Sequence, residues 1–194
     1  MTPQDFLTIL QRASKLKTTL RHCYTENERR ESVADHSWRI ALMAMLLSHE
    51  PEFQDTDMDK VIRMCLIHDL GETFTGDIPT FEKTEENAEN EDALFLQWID
   101  SFPSPQREEW LALFNEMRKS ESWEAKTYKA LDKLEAVISH NESDISTWLP
   151  LEYDLQLSYG KKNVEFSDYL KELSKCIDKW TLEKIENCFV SRNS

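Results

Sequence analysis

Apolar residues recur at intervals of three to four positions along almost the whole chain, and this spacing constrains the possible fold more than any other feature of the sequence. The interval matches the repeat of an amphipathic α-helix, whereas the alternation that is typical of a half-buried strand occurs in few stretches. The chain of 194 residues has the length of one globular domain and contains no internal repeat or low-complexity linker. The pattern therefore predicts a single-domain, all-α protein.

The same spacing predicts where the individual helices lie. They are expected over about 3–20, 32–49, 57–70, 93–99, 106–119, 122–141 and 166–180. The polar segment TENERRES follows the first helix, and Gly71 is a natural stop for the third. In the first helix, the buried stripe is expected to consist of Phe6, Ile9, Leu10, Ala13 and Leu16.

Composition excludes several classes of protein. The 37 acidic and 23 basic residues give a formal charge of −14, which argues against nucleic-acid binding through clustered cations. The three glycines, Gly71, Gly76 and Gly160, cannot form the glycine-rich loop of a Rossmann or P-loop nucleotide site. No apolar run approaches the length of a membrane span, and no signal peptide is visible. The four scattered cysteines fit reduced thiols, so a cytoplasmic protein is expected.

Three segments carry histidines and aspartates that a surface position explains poorly. His36 in SVADHSWRIALMA and His68 in MCLIHDLGETFTGD fall on the apolar side of their predicted helices, and Asp69 follows at the helix end. Asp132 in YKALDKLEAVI is also close to an apolar face. Each residue alone has an ordinary interpretation, such as a core histidine or a capping aspartate. Burying all four together is costly without a cation, and a mixed nitrogen and oxygen set suits Mn²⁺, Co²⁺, Fe²⁺ or Zn²⁺.

These residues also carry a family resemblance. The order His36, His68-Asp69, Asp132 resembles the H…HD…D signature of the HD-domain metal-dependent phosphohydrolases. The segments ESVADHSWRIALMA, CLIHDLGETFTGDIPT and KALDKLEA resemble the branch of bacterial 5′-deoxynucleotidases and their eukaryotic relatives. The similarity extends from about Leu16 to Ala136, and the D-x-P-T run is more specific than the His-Asp pair.

The resemblance implies a fold, a cofactor and an activity. It implies an HD domain over 1–194 of about seven to eight helices, with the metal-site core at about 16–140 and C-terminal helices at about 147–190 packing on it. One divalent ion would be held by His36, His68, Asp69 and Asp132. The implied reaction is hydrolysis of a deoxyribonucleoside 5′-monophosphate, and the implied assembly is a homodimer. Hydrolysis of another small phosphoester, such as a ribonucleotide or cyclic nucleotide, and non-catalytic nucleotide sensing remain as alternatives.

Catalytic roles follow from the same resemblance. Asp69 would both ligate the metal and steer a water molecule. Glu72 lies one turn beyond His68 and is expected to face the same cavity, the alternative being a solvated residue past a helix end. Asp77 follows Gly76 in a loop and is assigned a general acid–base or substrate-holding role, the alternative being a turn-capping aspartate.

Substrate contacts are expected from two further segments. Arg21 matches the family arginine that orients the phosphate, the alternative being a surface cation at the end of the first helix. Ile78, Pro79 and Thr80 match the run that contacts the nucleoside. His22 stands where the bacterial branch carries a tryptophan, which puts base stacking and deoxyribose preference in question.

Other conspicuous residues have ordinary interpretations. His49 and His140 fall near predicted helix ends and are expected at the surface. The acidic run from Glu82 to Asp92 is expected to form a solvated face.

Overall fold

The computed structural model describes residues 1–25 and 29–192, so part of the predicted polar segment TENERRES lies outside the described residues. Helices dominate, and the predicted all-α class is confirmed. Two short strands, β1 (Leu20–Tyr24) and β2 (Arg30–Ser32), form an antiparallel pair. The helices are α1 (Pro3–Ala13), α2 (Val33–Leu47), α3 (Met58–Ile67), α4 (Glu72–Thr75), α5 (Glu85–Asp100), α6 (Gln106–Lys119), α7 (Trp123–Glu142), α8 (Glu152–Ser158) and α9 (Asp168–Arg192).

Helix α7 forms the centre of the fold. Its buried residues occupy most of its circumference, and the remaining stripe, which includes Lys129, Lys133, Ala136 and His140, borders a cavity. It contacts α2, α3, α6, α9 and strand β1. Fully buried Ile40 of α2, Met64 of α3 and Leu131 of α7 belong to one continuous apolar core. The elements that carry the predicted metal ligands are therefore packed directly on one another.

Local sequence signals fix the ends of the helices that matter for the site. Ser32 caps α2 by accepting a hydrogen bond from the backbone N–H of Asp35, and the Asp35 side chain accepts one from the Ser32 backbone. This capping box places His36 in the first turns of α2. Helix α3 ends at Ile67, so His68 is its C-cap and Asp69 follows in the turn toward α4.

The prediction for the first helix was wrong beyond Ala13. The chain leaves α1 through a 3-10 turn at Ser14–Lys17 and then enters β1. Phe6 and Leu10 are about half exposed, whereas Leu16 belongs to the core. The reason is that β1 pairs with β2 and packs against α7, and these tertiary contacts override the helical spacing.

Other boundaries also differ from the predictions, and α9 continues to Arg192 where its end was expected at about 180. The segment expected as a loop after Gly71 begins with the helical turn α4. Helix α5 begins at Glu85, because Thr84 and Asn87 form a capping box well before the apolar positions that signalled this helix. Among the helices of the described residues, none is long and apolar enough to cross a membrane.

Candidate active site

The four side chains predicted as metal ligands converge. Nε2 of His36 lies 3.4 Å from Oδ1 of Asp132 and 3.7 Å from Oδ2 of Asp69. Nε2 of His68 lies 3.0 Å from the same Asp69 oxygen and 3.9 Å from Oδ1 of Asp132. Ligand atoms bound ~2.0–2.2 Å from one ion are separated by about 3.0–3.5 Å, so only small movements would close this set around a cation.

Hydrogen bonds fix which nitrogen of each imidazole faces the centre. Nδ1 of His68 lies 2.8 Å from the Cys65 carbonyl oxygen, which only accepts, so Nδ1 carries the proton. Nδ1 of His36 is hydrogen-bonded to Glu135 in the same way. In the neutral rings, both Nε2 lone pairs are then directed at carboxylate oxygens, and Nε2 of His68 is buried without a hydrogen-bond partner among the described residues. The donor set therefore fits a divalent metal ion.

Behind His36 lies a buried network that the sequence did not reveal. Glu135 is fully buried and accepts hydrogen bonds from Arg39 Nε at 2.7 Å and Arg21 Nη1 at 3.1 Å, as well as from His36. Burial by itself would raise the pKa of Glu135, but the charges of these three groups outweigh it and hold that pKa well below its usual range. Glu135 therefore remains anionic and orients His36.

Two lysines keep Asp132, the predicted metal ligand on α7, in its anionic form. Oδ2 of Asp132 lies 3.0 Å from Lys129 Nζ and 3.3 Å from Lys133 Nζ, which leaves Oδ1 directed at the imidazoles. Burial opposes ionisation of Asp132, but the two lysines lower its pKa well below the usual value. Burial likewise opposes ionisation of Asp69, and His68 is the main group that lowers its pKa. Both carboxylates are therefore anionic near neutral pH.

The two predicted acids of the loop segment line the same cavity. Glu72 is buried, so its interpretation as a solvated residue was wrong, and its Oε2 has no hydrogen-bond partner within the part of the chain that the structure describes. Burial, followed by the charges of Asp69 and Asp77, raises the pKa of Glu72 to about 11. Burial also raises the pKa of Asp77. Gly76, with φ of 80°, supplies the left-handed backbone that turns Asp77 toward the cavity.

Arg21 lies in the cavity wall and not at the end of a helix. It lies on β1, and its guanidinium is largely buried between Glu31 at 2.7 Å and Glu135 at 3.1 Å. The alternative interpretation, a surface cation at the end of a helix, was therefore wrong. Burial opposes its charge, but the neighbouring carboxylates raise the pKa of Arg21 well above its usual value. Arg21 borders the cavity and stays charged, and its phosphate contact remains a prediction.

The cavity has a volume of about 360 Å³ and is also lined by the residues expected to contact the nucleoside, His22, Ile78, Pro79 and Thr80. The Thr80 hydroxyl lies 2.9 Å from the hydroxyl of Tyr159, which accepts a hydrogen bond from Lys133. His22 meets the edge of Phe81 at 5.6 Å between ring centroids. Residues from the metal-site elements and from the C-terminal part of the chain therefore form the wall of one cavity.

Two of the ordinary interpretations were wrong. His140, which was expected at the surface, is largely buried, lines the cavity and hydrogen-bonds to Glu152. His49 is exposed, as expected. Glu91 and Asp92, from the run expected to be solvated, also line the cavity, and Glu91 pairs with Lys83 at 2.8 Å. The helical repeat of α5 turns these two positions inward, and their charge obscured this in the sequence.

With this geometry established, comparison with known proteins identifies the class. The sequence model of the HD domain family matches residues 13–174, which include all four predicted metal ligands. The chain therefore belongs to the HD domain family.

Individual relatives are similar over much of the chain. The human 5′-deoxynucleotidase HDDC2 is 32% identical over 121 residues, which cover 61% of this chain and 57% of that protein. The Dictyostelium discoideum 5′-deoxynucleotidase HDDC2 is 30% identical over 146 residues, covering 71% of this chain and 77% of that protein. The crystal structure of a predicted metal-dependent phosphohydrolase from Magnetospirillum magnetotacticum MS-1 is 28% identical, has a TM-score of 0.78 and matches 93% of each chain. The chain thus spans less than two thirds of the length of the human relative.

Proposed function

We propose that this protein is a metal-dependent phosphomonoesterase that hydrolyses deoxyribonucleoside 5′-monophosphates to deoxyribonucleoside and phosphate. The observation that carries the proposal is the convergence of His36, His68, Asp69 and Asp132 in one cavity with the acids Glu72 and Asp77. The similarity to named 5′-deoxynucleotidases supports this substrate class.

The reaction requires one bond exchange at phosphorus. A water oxygen forms the new P–O bond, the bond from phosphorus to the 5′ oxygen breaks, and the leaving oxygen takes up a proton. A divalent ion held by the two histidines and two aspartates would supply Lewis-acid polarisation and lower the pKa of water. The protein residues must then orient the water and move protons.

The acids divide these tasks in the proposal. Asp69 has the lowered pKa of a permanent anion, so it accepts a hydrogen bond from the attacking water and orients it. Glu72 holds a proton at neutral pH because its pKa is raised, and such a group is suited to proton exchange with the reacting oxygens. Asp77 borders the cavity beside the nucleoside wall, where it would act at the 5′ oxygen.

Two groups of residues would position the substrate. Arg21 would contact the phosphate with the part of its guanidinium that borders the cavity. His22 and the segment Ile78–Thr80 would form the wall against the nucleoside. We further propose that the chain functions as one HD domain in the cytoplasm, which expression of a tagged protein followed by cell fractionation would test.

A substrate panel tests the proposed activity. Phosphate release is measured for the four deoxyribonucleoside 5′-monophosphates, their ribose counterparts, cyclic nucleotides and dATP, with Mn²⁺, Co²⁺ or Zn²⁺. Release from the deoxy monophosphates at the highest kcat/KM is expected, and loss of turnover without unfolding is expected for Asp69→Asn. Preferential hydrolysis of another phosphoester would assign the alternative activity. Tight nucleotide binding without any turnover by metal-loaded protein would indicate a sensor.

We propose that the active form is a homodimer. Helix α2 exposes one apolar face, in which Trp38 is 64% and Leu46 70% exposed, with Leu42 and Met45 on the same side. Residues spaced by four, seven and eight positions share one helix face, and an apolar stripe of this kind is typical of a subunit contact. Sedimentation analysis of the purified protein tests the assembly.

A further inference from the structure

A second cluster of side chains that could bind a metal ion lies in the wall of the same cavity. It consists of His22 on β1, His140 near the end of α7 and Glu152 at the start of α8. Nε2 of His22 lies 3.2 Å and Nε2 of His140 lies 3.0 Å from the same oxygen, Oε1 of Glu152. The three ligand atoms lie within 4.8 Å of one another, and the cluster shares no residue with the first site.

The hydrogen bonds around this cluster direct lone pairs at its centre. Nδ1 of His140 lies 2.9 Å from the Ala136 carbonyl oxygen, which only accepts, so Nδ1 carries the proton and Nε2 of the neutral ring bears a lone pair. Oε2 of Glu152 accepts a hydrogen bond from the Leu149 backbone N–H at 2.6 Å, which leaves Oε1 directed at the two imidazoles. The 3.0 Å separation of Nε2 and Oε1 is stable only with a positive charge between the two atoms, either a proton on Nε2 or a metal ion that replaces it.

We propose that His22, His140 and Glu152 form a second transition-metal site. A set of two histidines and one glutamate is a donor combination that zinc proteins use when a fourth position stays open. Two features pre-organise the site, because Ala136 fixes the His140 ring and Leu149 fixes the Glu152 carboxylate. Glu152 is buried yet anionic, because the neighbouring His140 ring and the hydrogen bond from the Leu149 backbone N–H outweigh burial and lower its pKa.

The location gives the second site access to cavity ligands. All three residues line the cavity, so the open coordination position faces the same space as the first site. An oxygen or nitrogen atom of a bound small molecule would complete the coordination there. This inference concerns metal binding alone and does not depend on the proposed hydrolysis.

Metal counting tests the proposal. Chelator-treated protein is equilibrated with Zn²⁺, and bound zinc per chain is measured by elemental analysis with titration calorimetry. Two equivalents are expected for the unmodified protein, one for the His22→Gln/His140→Gln variant and one for Asp69→Asn, which impairs only the first site. His49→Gln is the matched control, because His49 is exposed and lies outside both clusters, and it should retain two equivalents.

The outcomes separate the two sites. Equal numbers of bound zinc equivalents for His22→Gln/His140→Gln and for the unmodified protein would overturn the second site, and loss of one equivalent in that variant but not in His49→Gln would support it. Circular dichroism verifies that each variant is folded. If the double variant does not fold, His22→Gln alone serves, because its side chain is partly exposed. This single change should weaken the second binding event by more than the roughly 10–100-fold that loss of an outer-shell partner costs, and an unchanged Kd would overturn the proposal.

Discussion

The substitution Glu135→Gln tests whether the buried network behind His36 supports both the fold and the metal site. Glutamine keeps the size of the side chain but removes the negative charge that Arg21, Arg39 and His36 share. Glu135 is 0% exposed, and loss of one partner from a buried ionic network costs about 3–5 kcal/mol. For a chain of this size that loss lowers Tm by roughly 6–20 °C. Metal affinity should also fall by about 10–100-fold, because His36 loses the acceptor that orients it.

Thermal unfolding followed by circular dichroism and Mn²⁺ titration together measure both effects. Glu142→Gln is the matched control, because Glu142 also pairs with Arg39 but its side chain is 42% exposed. An exposed pair contributes no more than about 1 kcal/mol, so this control should leave Tm and metal affinity nearly unchanged. If Glu135→Gln behaves like Glu142→Gln in both measurements, the network has no role in stability or in orienting His36.

Three further predictions follow from the site and the surface. Burial and Arg21 lower the pKa of His36, but Glu135 and Asp132 outweigh them and raise it to about 9, so a proton competes with the metal below that pH. The Kd for Mn²⁺ should therefore decrease about tenfold per pH unit between about pH 6 and 9, and a pH-independent Kd would contradict this ligand. Glu72 has a folded-state pKa of about 11, above its unfolded value of about 4.5, so between these pH values only the unfolded chain releases this proton, and the metal-free fold loses stability as pH rises. Glu72→Gln should thus be at least as stable as the unmodified protein at pH 7 in chelator, yet release phosphate about 10²–10⁴-fold more slowly; full activity would remove Glu72 from catalysis. If the proposed homodimer forms through the exposed face of α2, Trp38→Glu should convert it into monomers in sedimentation experiments, and an unchanged sedimentation coefficient would exclude that face as the interface.

The helices that carry the site could be predicted because local and tertiary signals agree there. For α2 and α7, the apolar repeat and the serine caps fall at the same positions, so the predicted bounds match the structure to within two residues. Strand β1 could not be predicted in this way. It is only five residues long, and the pairing with β2 and the contacts with α7 that stabilise it come from outside the segment.

The predicted ligands and the missed residues differ in what the sequence displays. His36 and His68 fall on apolar stripes, Asp132 lies beside one and Asp69 directly follows His68, and this is visible locally. Glu135 also interrupts such a stripe, but its meaning depends on its partners His36 and Arg39, which lie 99 and 96 positions away. Its position three residues after Asp132, on the same helix face, is the one local signal that could have suggested it.

His140 was missed for a similar reason. It occupies the last turns of α7, where histidines commonly interact with the helix end and remain partly solvated. Its burial arises because Glu152 on α8 and His22 on β1 close over it. Neither contact can be read from the spacing of residues within α7.

The distribution of charge explains why the metal matters for binding as well as for chemistry. In a chain with a net charge of −14, the cations near the site already have partners: Lys129 and Lys133 compensate Asp132, and Arg39 compensates Glu135. Arg21 is paired with carboxylates too, so it offers a phosphate only part of its guanidinium. A phosphate dianion entering this cavity also meets the carboxyl groups lining it. In the proposed reaction the divalent ion would therefore be the main source of uncompensated positive charge, and substrate affinity and water activation would both depend on the same four predicted ligands.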